Sequence, residues 1–150
     1  MFGIEGKLRK NRADNSWMVS FPSLDSMTEG DTKEEALKMG ADLIYSYLEC
    51  YFEEEMPKDL EVKIIEGEKG QIAVVASDYR LLVSLFLIKQ RELASMNLQQ
   101  AATNLGSRSR NAYKQYEKGK IDPSVGKLSN LLEAVYPNEI LCINTLTSSV

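Results

Sequence analysis

The sequence predicts an α+β protein: a small antiparallel sheet with one long helix, in the order βββαβ, followed by an all-α helix-turn-helix unit. Three observations predict it. Apolar residues alternate with period two near the amino terminus, a helical apolar period runs from about residue 32 to 52, and short helical patterns punctuated by glycine and proline fill the chain after residue 77. On this reading the 150 residues divide into 1–76 and 77–150, which matches an ordinary length for two small modules.

Phe2, Ile4, Gly6 and Leu8 alternate with charged or small residues, and Trp17-Met18-Val19-Ser20-Phe21 alternates again after the polar stretch Asn11 to Asn15. Two strands joined by a turn follow. Pro22 ends the second, because a prolyl nitrogen cannot donate to a ladder, and Ser26 to Glu29 supplies a third extended piece. Thr32 and Glu35 have capping-box spacing, with Glu35 expected to reach back to the Thr32 amide. A helix then carries Leu37, Ala41, Ile44, Leu48 and Tyr51, joined by Gly40, Tyr47 and Phe52, on its packing side until Glu53-Glu54-Glu55 and Pro57. Leu60, Val62 and Ile64 read as one more strand, and Gln71 to Val75 as a further short one.

Ser77 or Asp78 can cap a helix from about Tyr79 to Ala94, in which Leu82, Leu85, Phe86, Lys89 and Leu93 trace one stripe. Its first turns are apolar nearly all round, so it is expected to be buried on both sides, at a domain junction or a dimer contact, with a buried strand over 81–88 as the rival reading. A short helix from Leu98, small Ala101 and Ala102 where a neighbour must approach, and Gly106 at a left-handed turn precede a second helix that starts among Ser107 to Arg110. Ala112, Tyr113 and Tyr116 face inward there. Gly119 ends that helix, and Asp122 as cap with Pro123 at the first helical position starts the last one, packed through Val125, Leu128, Leu132 and Val135. Glu139 to Leu146 reads as a closing strand or a tail.

The outward residues of this pair suit a major groove, where arginine reads guanine, asparagine or glutamine reads adenine, and lysine or serine holds phosphates. The expected DNA-binding set is Gln99, Gln100, Ser107, Arg108, Ser109, Arg110, Asn111, Lys114, Gln115 and Lys118. Charge agrees with two modules facing different partners. Residues 1–76 carry 9 Lys+Arg against 16 Asp+Glu, a net of −7, and residues 77–150 carry 9 against 6, a net of +3.

Histidine is absent, which removes Ser-His, Cys-His and His-metal chemistry, and the two cysteines, Cys50 and Cys142, have neither redox nor metal spacing. No enzyme, cofactor or metal is expected. The acidic residues Asp25, Glu29, Asp31, Glu34 and Glu35 raise the thought of a two-metal nuclease, but capping and helix-dipole duties account for most of their positions. No apolar run is long enough to cross a bilayer and no signal-peptide pattern stands at the amino terminus, so the expected location is the cytoplasm.

Trp17 to Leu24, then Thr28-Glu29-Gly30-Asp31-Thr32-Lys33-Glu34-Glu35-Ala36-Leu37, with Leu48-Glu49 closing, resembles the HicB antitoxin domain. Residues from about 80 to 136 resemble the Cro-repressor type of helix-turn-helix through Leu105-Gly106, Tyr116 to Lys120 and Pro123-Ser124, with one extra residue after Gly106. The resemblance implies a truncated RNase H-like fold for the first module and, as its partner, a small basic HicA-type toxin that cleaves mRNA, with Trp17, Phe21, Asp25, Glu29 and Asp31 as expected contacts. It implies that the second module dimerises and represses its own operon on double-stranded operator DNA. A homodimer or higher homo-oligomer is expected also because one recognition helix reads few base pairs and a two-fold partner places a second about 34 Å away. The competing reading is a one-component repressor whose first module senses a small ligand.

Overall fold

The computed structural model describes residues 1–149. In β1 (Gly3–Lys10) alternation buries Ile4, Gly6 and Leu8 and leaves Glu5, Lys7 and Arg9 outside. β2 (Trp17–Phe21) turns Val19 and Phe21 to the same inner face, where both are wholly buried. A 3-10 turn, Pro22–Leu24, ends at Asp25 with φ +47°, and β3 (Ser26–Gly30) then runs antiparallel to β2.

α1 (Lys33–Phe52) starts at Thr32, whose hydroxyl accepts the Glu35 amide at 3.1 Å. The Glu35 carboxylate reaches the amide of Asp31, at 2.9 Å, one residue before the expected Thr32. That amide lies just beyond β3, where there is no ladder to join. Ala36, Gly40, Ile44, Leu48 and Phe52, four residues apart, form the buried seam on the sheet. Gly40 lets helix and sheet approach closely, since a methyl group there would sit 2.7 Å from Ile64 Cδ1 and 2.8 Å from Val19 Cγ1. Tyr51, expected on the seam, is exposed beside it and donates to Glu92 Oε1 at 3.0 Å, while burial and then Glu92 push the phenol up to about 12.

β4 (Val62–Glu66) and β5 (Gln71–Ala76) complete a five-stranded antiparallel sheet of order β3-β2-β1-β5-β4. The strand order corrects the βββαβ expectation to βββαββ. The segment expected as an optional last piece lies inside the sheet, pairing β1 from Gly3↔Val75 to Lys7↔Gln71, and Ile72 and Val74 are wholly buried there. A short apolar alternation carries no information on whether a strand is central or marginal, because that depends on pairing with distant residues.

α2 (Tyr79–Leu93) is a helix over its whole length, which removes the strand reading of 81–88. The Asp78 carboxylate caps it at the Arg80 amide. Leu81, Leu82, Leu85 and Ile88 enter the core under the sheet, whereas Val83 and Leu87 enter a second core shared with α3 (Leu98–Asn104), α4 (Asn111–Lys114) and α5 (Val125–Val135). The double burial expected of this segment therefore arises where the two cores meet. Leu93, on the expected stripe, is exposed at the end of the helix. Buried Ser84 donates to the Tyr116 carbonyl at 2.8 Å and accepts the Gly119 amide at 2.9 Å, and Gln90 Nε2 donates to the Ser23 carbonyl at 2.6 Å.

α3 closes with paired reverse bonds: the Ser107 amide donates to Ala102 at 2.9 Å and the Gly106 amide to Thr103 at 3.0 Å, with Gly106 at φ +90°. A side chain there is strained although space is open. Gly106→Ala is expected to lose about 1 kcal/mol in chemical denaturation, and Gly106→Asn less. Equal stability of all three chains would contradict the conformational argument.

The start of α5 also differs from expectation. Ser124, not Asp122, is its cap, accepting the Lys127 amide at 3.1 Å, and Asp122 instead accepts the Tyr79 hydroxyl. Residues 137–149 form no strand. They begin with a turn at Pro137 and Asn138 and leave Ile140 and Ile143 in solvent, until Leu146 meets Gly67 and the Ser149 amide donates to the Glu66 carbonyl at 3.0 Å.

Candidate nucleic-acid interface and acidic sheet edge

The expected second helix is shorter than its sequence pattern. α4 spans four residues and continues as a 3-10 turn, Gln115–Glu117, so Ser107, Arg108 and Ser109 lie on the turn before it and Arg110 at its cap position. Ser107 Oγ accepts the Ser109 amide at 3.1 Å, a local bond that competes with helix at this point.

What holds these residues in place is beneath them. Tyr113 is wholly buried, with its hydroxyl 3.4 Å from the Leu131 carbonyl, and burial holds its phenol far above the usual range. Ala101 and Ala102 are wholly buried where α3 meets its neighbours, and Asn104 Nδ2 donates to the Ala134 carbonyl at 2.8 Å. Asn97 and Gln100 close a reciprocal capping box, both bonds 2.8 Å, which commits the Gln100 carbonyl oxygen to the helix start. Gln99 Nε2 lies 3.3 Å from the Arg108 carbonyl and ties α3 to the turn.

Arg91 forks onto Glu117, Nε to Oε1 at 2.6 Å and Nη2 to Oε2 at 3.0 Å, and Nη1 donates to the Met96 carbonyl at 3.0 Å. The Glu117 hydrogen bond raises the guanidinium pKa against the opposing effect of burial. Glu117 is the only acid from residue 97 to 120, and it is turned inward and neutralised. Among the described residues Arg108, Arg110, Lys114 and Lys118 have no ion-pair partner; all four are exposed, as are Gln99, Gln100, Ser109 and Asn111. Gln115 and Ser107 are half-buried, and Gln115 Nε2 lies 3.4 Å from the Ala112 carbonyl. The surface is thus cationic, rich in donors and free of carboxylates.

The acidic residues singled out near the amino terminus gather around β3, the last strand on one side of the sheet. Asp25, Glu29 and Asp31 are exposed. Trp17 is half-buried opposite Gly30, with Lys10 Nζ 5.8 Å from its ring centroid. Phe21 is the exception: it has no exposed surface and belongs to the core beneath this edge, because its place in the alternation of β2 turns it to the covered face of the sheet.

Sequence reasoning missed Arg91, Glu117, Ser84 and Asn97. Asn97-x-x-Gln100 carried a readable capping signal, whereas the Arg91 to Glu117 fork joins residues too far apart for any local pattern. Among the described residues no group of three acidic, cysteine or histidine side chains is placed to hold a metal ion, and no helix is long and apolar enough to cross a membrane.

No family model matches the chain. It is similar to a curated protein, Antitoxin HicB 1 of Photorhabdus laumondii subsp. laumondii, at 33% identity over 90 residues, which cover 55% of this chain and 55% of that protein. The chain thus spans about half the length of the curated relative it matches, and the resemblance to HicB antitoxins drawn from Trp17 to Leu37 is supported by it.

Proposed function

Taking that likeness as the premise, we propose that the chain is the antitoxin of a toxin-antitoxin pair, which neutralises a small basic HicA-type toxin through residues 1–76 and represses its own operon through a helix-turn-helix in residues 77–150. The observation that carries the reading is the separation of charge. An unpaired cationic surface over Arg108 to Lys118, whose one acid is folded away, stands on a different module from an acidic edge at Asp25, Glu29 and Asp31. Polyanionic DNA suits the first and a basic protein the second. Complementary charge acts here chiefly on encounter rate and selectivity.

On this reading Arg110 and Asn111 read base edges from the major groove, while Lys114, Lys118 and the Ser107 to Ser109 turn hold phosphates. Two copies in a homodimer would present two such surfaces to one operator. Binding to labelled promoter DNA tests this. Arg110→Ala is expected to weaken specific binding by about 1–3 kcal/mol and to blur base preference. Lys118→Ala is expected to lower the salt slope by about one unit at nearly unchanged preference. If both variants bind like the parent chain, the surface named here is not the one in the groove. Co-expression with the small basic protein encoded beside this chain tests the antitoxin half, for which relief of toxicity together with a stable complex is the expected result.

A further inference from the structure

We infer that the free edge of β3 receives the basic partner, which adds an extended segment of its own alongside Ser26–Gly30 as a further strand of the sheet. The inference rests on the antitoxin reading and specifies how that contact is made.

The chain treats the two ends of its sheet differently. The β4 side is tied down at its last residue: the Ser149 amide donates to the Glu66 carbonyl at 3.0 Å, Leu146 lies on Gly67, and Lys33 holds the Glu66 carboxylate at 2.5 Å. Nothing described in the chain pairs with the far side of β3, the terminal strand of the order. Soluble proteins blunt such edges with lysine, proline, a bulge or a covering segment. Ser26–Gly30 contains neither lysine nor proline, its register with β2 is unbroken from Phe21↔Ser26 to Trp17↔Gly30, and Met27 is 64% exposed on it. Glu29 is its one charge, and the backbone of the edge is open to pairing.

Its charge selects the occupant. Glu29 lies on the strand, Asp25 and Asp31 bracket it, and no lysine or arginine occurs from residue 13 to 32. Backbone pairing supplies affinity without regard to sequence, and the side chains supply the choice. A second copy is disfavoured, since antiparallel pairing of two β3 edges about Thr28 sets Asp25 against the other copy's Asp31, a like-charge juxtaposition. A segment carrying lysine or arginine meets the same three carboxylates favourably.

The test uses the full chain and the purified small basic protein encoded beside it. In the complex, outward amides within Met27–Glu29 are expected to become protected from hydrogen exchange. Glu29→Lys and Met27→Lys are each expected to weaken the complex about tenfold or more, with thermal unfolding and operator binding unchanged. Full affinity in both variants overturns the inference and leaves the antitoxin reading standing. So does weakened binding without protection at 26–30, because a purely electrostatic contact has no need of the edge. If the parent chain forms no complex, the antitoxin reading falls and takes the inference with it.

Discussion

Arg91→Ala is expected to cost about 3 kcal/mol of folding stability, the scale seen when one partner of a buried ion pair is removed and the other is stranded. The side chains of Arg91 and Glu117 are only 16% and 8% exposed, and the fork is bidentate. Most of the loss comes from leaving the Glu117 carboxylate without a partner, so the pair Arg91→Met with Glu117→Leu is expected to regain much of it. Urea denaturation of the two single variants and the double variant closes the cycle. Additive losses, or a single-variant loss under about 1 kcal/mol, would show that the fork is solvated and contributes little. Because Glu117 ends the 3-10 turn after α4, Arg91→Ala is also expected to weaken operator binding.

Tyr113→Ala removes the largest wholly buried side chain of the chain, and a loss of about 3–5 kcal/mol is expected for an aromatic truncated in a packed core. Tyr113→Phe keeps the ring and gives up a hydroxyl contact of 3.4 Å, so about 1 kcal/mol or less is expected. Calorimetry compares the three chains, and a similar loss in both variants would mean that the hydroxyl, not the ring volume, holds α4 in place.

The parts legible in the sequence were those set by neighbours along the chain. Thr32 and Glu35 marked the start of α1 and Gly106 marked the left-handed turn, while of the expected stripe Ile44 and Leu48 are buried and Leu37, Ala41 and Tyr51 lie beside the seam. The all-round apolar character of Leu81 to Ile88 announced burial on two sides. What stayed hidden was set by distance. The inner place of β5 depends on pairing with β1, more than sixty residues earlier. The cap of α5 is Ser124, and Asp122 accepts instead from Tyr79, more than forty residues earlier. Of the residues expected to meet a partner, Phe21 is buried by its position in the pleat, which a strand pattern gives only once the covered side is known. Gln100 serves a cap, a role its spacing from Asn97 already offered.

With α2 serving both hydrophobic cores, and with Ser84 and Gln90 bonded to opposite neighbours, the junction is packed from both sides. The helix acts as a common axle, so the bearing of the donor-rich surface relative to the open strand is built in by packing. Any body bound at one end would therefore stand at a set angle to one bound at the other, and steric collision or fit between the two would follow from the fold itself.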